Sequence, residues 1–296
     1  MHKLTLSIKP NLNQMKKLTI PASDGYNLGA LIGQSGETTL GYVVISPATA
    51  VKKEFYIPYA GFLICHGYIV VLFDYRGVGE SLSCELSNSD AYIHEWGTLD
   101  MNAVVNFLVH KKGFKEIIWI GHSIGAQLTG FIKNTKHVKK VIAINAAVGY
   151  WGYFPFPKKW LIWSLWYLIS PALVWLYGYG TMKIVGWGEN LPKHVFMEWR
   201  DWCLRKTYYM DFIRKELKTD KFYQFLVPIT FVYTSDDYIA NDKTAPLMLE
   251  FFPNAPAQIL KLDVEQYTLH KPGHIGIFRK KFEHDLWIAL KQIIEA

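Results

Sequence analysis

The chain has 296 residues, half of them hydrophobic, a net charge of +7 and three cysteines, enough for a sizeable core in one large domain with an insertion, or in two domains. Its cations are scattered in pairs such as Lys52-Lys53, Lys111-Lys112, Lys139-Lys140 and Lys280-Lys281, with no long basic block interleaved with aromatics, which argues against a nucleic-acid partner. Cys65, Cys84 and Cys203 are an odd, widely spaced set, as expected of reduced thiols in a cytoplasmic protein and not of a disulfide framework or a zinc site.

The start has no apolar core of signal-peptide length, so residues 1–14 read as a tail. Lys16 to Ile20 and Tyr26 to Ile32 read as hairpin partners around the turn signal Asp24-Gly25, and Gly36-Glu37 makes a second turn. Gly41 to Ile45 is a β-branched run and a buried strand, followed by the small-residue loop Ser46-Pro47-Ala48-Thr49-Ala50. A helix over Phe55–His66 closes at Gly67, and Tyr68 to Phe73 forms the next strand. Trp96 to Val109 has helical spacing, Ile117 to Ile120 is a short apolar strand, and Val138 to Ile144 is another. From about Ala146 to Leu226 there is no strand pattern, only an aromatic-rich stretch. Alternation then resumes with Pro228 to Tyr233 (strand), Lys243 to Phe251 (helix), Gln258 to Leu262 (strand) and Lys280 to Ile294 (helix). Uniformly apolar strands alternating with helices indicate an α/β fold, a mainly parallel sheet with helices on both faces. The middle block reads as a helical insertion.

Within that block Trp160 to Gly178 is uncharged and long enough for a membrane span. A span here would put the last strands on the opposite side of the bilayer from the earlier ones. Pro171 follows Ser170 at its centre, and a helical hairpin broken there is the expectation. Trp and Lys at its borders also suit contact with a bilayer surface.

The stretch with chemistry is Gly121-His122-Ser123-Ile124-Gly125, set between a strand and a helix-competent segment. A serine on so sharp a turn leaves no room for a Cβ two residues before or after it, hence the glycines. Its hydroxyl stands at the next helix N-terminus, where free amides favour developing negative charge. A serine hydroxyl needs a base, and the base an orienting acid. Asp236 and Asp237 follow the strand at Ile229, and His274 in Gly273-His274-Ile275-Gly276 follows the strand at Ile259. Loops beyond strand C-termini are where open α/β sheets place their sites.

These features together resemble the α/β-hydrolase superfamily. The resemblance rests on GHSIG at 121–125, DYRGVGES at 74–81, DDYI at 236–239 and GHIG at 273–276. It is most similar to the bacterial predicted α/β hydrolases with an aromatic cap. It implies an α/β-hydrolase core over 15–146 and 227–296, with a helical cap at 147–226. It also implies Ser123 as nucleophile, His274 as general base and Asp237 as acid, since the family pattern is Asp, any residue, then Ile or Val. Asp236 is the competitor, otherwise a turn residue. The oxyanion hole would use the amides of Ile124 and Ala48, with Thr49 as the alternative. Many members have His-Gly where this chain has Ser46-Pro47-Ala48, and Pro47 cannot donate. His122 is then a packing or rim residue, His270 an exposed one, and the Arg76 segment structural.

The implied activity is that of a carboxylesterase, lipase or thioesterase acting through an acyl-enzyme, with no metal or organic cofactor. The aromatic cap suggests an apolar small-molecule or lipid-like substrate. Peptidase, lactonase or acyltransferase chemistry is next on the same machinery. Two other classes stand beside it: an idle hydrolase-fold binding protein, and a membrane-surface protein using the cap, with Trp163 and Trp166 as contacts. The oligomeric state is not legible.

Overall fold

Short β-branched runs bounded by turn residues become the strands of one sheet. In the computed structural model, which describes residues 15–36 and 39–296, they are β1 (Met15–Pro21), β2 (Asn27–Gly33), β3 (Gly41–Ser46), β4 (Tyr68–Phe73), β5 (Ile117–His122), β6 (Val138–Ile144), β7 (Ile229–Thr234) and β8 (Ala257–Leu262). The tail assigned to 1–14, and Glu37 of the second turn, lie outside the described residues. The order is β1-β2-β4-β3-β5-β6-β7-β8. β1 pairs antiparallel with β2 and β2 with β4, and every other pair is parallel. β5 is buried along its whole length. Its alternate side chains feed two cores. Ile117 and Trp119 pack on one face with Trp96 and Val104, and Ile118 and Ile120 pack on the other with Leu63 and Trp287. Covered on both faces, β5 has no solvent-facing position over Ile117–Ile120, which is why that part reads as a continuous apolar run.

The helices are α1 (Ile57–Cys65), α2 (Ile93–Glu95), α3 (Asn102–Lys112), α4 (Ile124–Gln127), α5 (Lys158–Ser164), α6 (Ser170–Tyr177), α7 (Lys193–Cys203), α8 (Met210–Lys215), α9 (Lys221–Gln224) and α10 (Leu286–Glu295). Two segments differ from expectation. Residues 243–251 form turns and then a tight 3₁₀ segment, Pro246–Phe251. The Asn241 side chain accepts from the amides of Lys243 and Thr244, and Pro246 contributes no donor, so a regular helix does not propagate. The last helix starts at Leu286, where the Asp285 side chain caps it.

α5 to α9 occupy the insertion between β6 and β7. The expected hairpin at Ser170-Pro171 is corrected: Lys158–Tyr177 is one continuous helix of 20 residues. A widened π turn, Leu165–Ile169, ends two residues before Pro171, and this shift in register accommodates the proline's missing donor. This helix does not cross a bilayer, because β6 and β7, which flank the insertion, are hydrogen-bonded neighbours from Val141↔Ile229 to Ile144↔Val232.

Candidate active site

β5 delivers Ser123 in a strained backbone conformation, φ +52° and ψ −115°. The chain turns so tightly that a Cβ on Gly121 would overlap the backbone of Ala126, and one on Gly125 the carbonyl of Ser46. Gly125 is further fixed by the Trp119 indole, which donates to its carbonyl at 3.0 Å. Ser123 therefore stands partly open beyond the sheet edge, and the amide of Ile124 has no acceptor among the described residues.

The loops after β7 and β8 meet it there. His274 Nε2 lies 3.1 Å from Ser123 Oγ, and His274 Nδ1 lies 2.7 Å from Asp237 Oδ2. The Asp237 side chain is buried, and its other oxygen accepts the Ile239 amide at 2.8 Å. Asp236 acts on the backbone instead. Its Oδ2 accepts the Gly273 amide at 2.7 Å and so holds the turn, φ +59° at Gly273, that presents His274. Of the two adjacent aspartates, Asp237 is the one paired with the imidazole. His270 is exposed, and Arg76 is buried in a structural cluster with Asp100 and Asp24.

His122 is neither a rim residue nor simple packing. It is fully buried and links two catalytic loops. The Ala48 amide donates to the Tyr56 hydroxyl at 2.9 Å. The His274 carbonyl can only accept, so His122 Nε2, 2.9 Å away, carries the proton, and Nδ1 of the neutral ring accepts from the Tyr56 hydroxyl at 2.7 Å. Burial, with the nearby His274 adding to it, depresses the His122 imidazole to about 3, so it stays neutral in this chain. The same carbonyl accepts from Asn145 Nδ2 at 2.9 Å, and Asn145 Oδ1 accepts the Thr234 amide at 3.2 Å. Tyr56 and Asn145 carry no sequence signal. They become visible only when strands distant in sequence meet.

The Ala48 N–H, expected in the oxyanion hole, donates to the Tyr56 hydroxyl in this structure. The next amide, Thr49, lies in the wall beside Ser123 and has no partner among the described residues. The loop carrying it is anchored from two sides. Fully buried Lys53 bonds Asp74 through its amide and its ammonium, both at 2.7 Å. From the insertion, the Glu189 amide donates to the Ala50 carbonyl at 2.7 Å.

Above Ser123 a cavity of about 440 Å³ is walled by Phe154, Ile162, Trp166, Met182, Trp187 and Trp199. No Asp or Glu occurs among its described lining residues. Lys271, Arg279 and Lys281 line it as well, and none of them is in an ion pair among the described residues. Nor do the described residues hold a group of three His, Cys, Asp or Glu placed for a metal ion.

Residues 37–271 match the family model described as serine aminopeptidase, S33. No curated protein matches the sequence significantly. The fold is similar to that of the esterase EaEST from Exiguobacterium antarcticum (TM-score 0.60, 17% identity, 95% of this chain and 100% of that one). It is also similar to Est816, described as an N-acyl homoserine lactone degrading enzyme (0.58, 15%, 94% and 99%). A third similar structure is a membrane phospholipase A described as a novel bacterial virulence factor (0.57, 13%, 96% and 87%). At these identities the likeness is one of fold.

Proposed function

The chain belongs to the serine aminopeptidase S33 family of α/β hydrolases, and from that premise we propose that it cleaves carboxylic esters or thioesters of apolar acyl groups through an acyl-enzyme on Ser123. One observation carries the reading: Ser123, His274 and Asp237 lie in hydrogen-bonded sequence at the base of an apolar cavity. His274 Nε2 takes the Ser123 proton as Oγ attacks the carbonyl carbon. Asp237 orients the imidazole and stabilises its protonated form. The amides of Ile124 and Thr49 receive the oxyanion, a contribution of about 10²–10³ in kcat for each donor. His274 then protonates the leaving group, and water activated by the same imidazole releases the acid.

Removal of an N-terminal residue from a peptide is a poorer fit, despite the family's description. The α-ammonium of such a substrate calls for a carboxylate, and the described cavity wall has none while Lys271, Arg279 and Lys281 add positive charge. Ester substrates with a neutral or anionic leaving group suit this wall better.

The test is hydrolysis of p-nitrophenyl esters from acetyl to palmitoyl, alongside alanine p-nitroanilide, by the wild type and by Ser123→Ala. The reading expects ester turnover peaking at one chain length, no turnover by the variant, and no cleavage of the anilide. Anilide cleavage without ester cleavage would replace it with a peptidase. No difference between wild type and variant on any substrate would leave the idle binding protein.

A further inference from the structure

Helix 158–177 is apolar on both sides. Ile162, Leu165, Trp166 and Val174 face inward and are buried, and two of them wall the cavity. Leu161, Leu168, Trp175 and Leu176 face outward and are 66%, 59%, 86% and 64% exposed. Leu161, Leu168 and Trp175 recur every seven residues, which keeps them near one line along a helix. Leu161, Leu168, Trp175 and Leu176 thus form an apolar row open to solvent along the helix. A contiguous patch of this kind marks an interaction surface.

Charge identifies the partner. From residue 117 to 188 the sequence has no Asp or Glu but seven lysines. Lys158 and Lys159, at the start of the helix, have no acidic partner among the described residues, and neither do Lys271, Arg279 and Lys281 on the cavity wall. A second copy docked helix to helix would set Lys158 and Lys159 against their own counterparts, since helix 158–177 itself carries no carboxylate. An anionic lipid surface supplies both an apolar layer and phosphate charge. Twenty residues give a rod of about 30 Å, enough to lie along the headgroup boundary.

We propose that the outer face of helix 158–177 seats this protein on the surface of an anionic lipid bilayer. Leu161, Leu168, Trp175 and Leu176 enter the acyl–headgroup boundary, and Lys158 and Lys159 meet lipid phosphates. The inner face of the same helix walls the cavity above Ser123 through Ile162 and Trp166. Trp166, expected to be a contact, faces the core instead and takes no part in the docking. The docking does not depend on the hydrolase reading, since it concerns binding alone.

The test is flotation of the full chain with phosphatidylcholine vesicles, with and without phosphatidylglycerol. Wild type floats with the anionic vesicles and is released by salt, and Lys158→Gln with Lys159→Gln abolishes the dependence on phosphatidylglycerol. Leu168→Glu with Trp175→Glu lowers the bound-to-free ratio at least about tenfold, as expected when apolar anchors become charged. Its thermal midpoint stays at the wild-type value, which separates lost docking from lost fold. The proposal is overturned if wild type fails to float with either vesicle, or if the Glu variant floats as well as wild type. It is equally overturned if light scattering shows a dimer that Leu168→Glu dissociates while nothing floats.

Discussion

Replacing Tyr56 by Phe removes one oxygen and breaks two buried hydrogen bonds, from the Ala48 amide at 2.9 Å and to His122 Nδ1 at 2.7 Å. The Ala48 N–H and the His122 nitrogen are both left buried without a partner, at about 1–3 kcal/mol each. The expected destabilisation is therefore about 2–6 kcal/mol, against the ~5–15 kcal/mol that holds a typical domain folded. Activity falls for a separate reason. Ala48 is the neighbour of Thr49, so slack at its amide moves the second oxyanion donor. Loss of such a donor costs about 10²–10³ in kcat, and partial misplacement about tenfold to a hundredfold. KM changes little, because the apolar walls Phe154, Ile162, Trp166, Met182, Trp187 and Trp199 belong to the insertion and not to the Tyr56 network. Tyr59→Phe is the matched control. Tyr59 is equally buried in the same aromatic cluster, but its hydroxyl has no partner among the described residues. Its removal is neutral or mildly stabilising. Denaturant melts and p-nitrophenyl butyrate kinetics on both variants decide the matter. Equal stability and equal kcat for Tyr56→Phe and Tyr59→Phe would refute the linkage between this network and the oxyanion loop.

Three further outcomes follow from the same geometry. Asp237→Asn lowers kcat by about 10⁴ by removing the group that sets the His274 tautomer, whereas Asp236→Asn acts through the Gly273 turn and retains most activity; the reverse ranking would reassign the acid. His122, depressed from 6.5 to about 3 by burial, binds a proton more readily when unfolded. Its stabilising contribution is complete above the unfolded value and is lost as pH falls from 6.5 toward 3, at up to about 1.4 kcal/mol per pH unit. Unfolding free energies from pH 7 to 4 are thus steeper for wild type than for His122→Gln, and identical slopes would dismiss the buried neutral state. Arg279→Gln with Lys281→Gln lowers kcat/KM for an ester with an anionic leaving group more than for its neutral analogue, about threefold to tenfold in the ratio, and added salt narrows the gap.

Most of the sheet was legible because its middle strands are buried on both faces. Val138–Ile144 is β6 residue for residue, since a run of β-branched side chains between turn residues has few other stable placements. The chain order of Ser123, Asp237 and His274 was legible for a topological reason: Ser123 and Asp237 sit just past the C-terminal ends of β5 and β7, and His274 lies in the longer loop after β8. The second oxyanion amide was not. Choosing between Ala48 and Thr49 depends on Tyr56, which reaches into the loop from eight residues away and leaves no local pattern. The family pattern favours Asp237 of the aspartate pair, and the contacts that tell the two apart, Asp237 with His274 and Asp236 with Gly273, are each made 37 residues further along. Helix 158–177 misled for two reasons. Pro171 breaks an ordinary i→i−4 ladder, but the π turn before it had already changed the register. And in a helix apolar all round, periodicity does not say which tryptophan faces inward: Trp166 is buried and Trp175 is exposed.

Ester cleavage by this protein stands or falls with Ser123 as the activated nucleophile. That role is read out by reaction with a fluorophosphonate probe, followed by peptide mass spectrometry of the wild type and of Ser123→Ala and His274→Ala. A single adduct on Ser123 is expected in the wild type, none in Ser123→Ala, and labelling slowed by orders of magnitude in His274→Ala. An unlabelled wild type, or an adduct on another residue that persists in Ser123→Ala, would rule the role out.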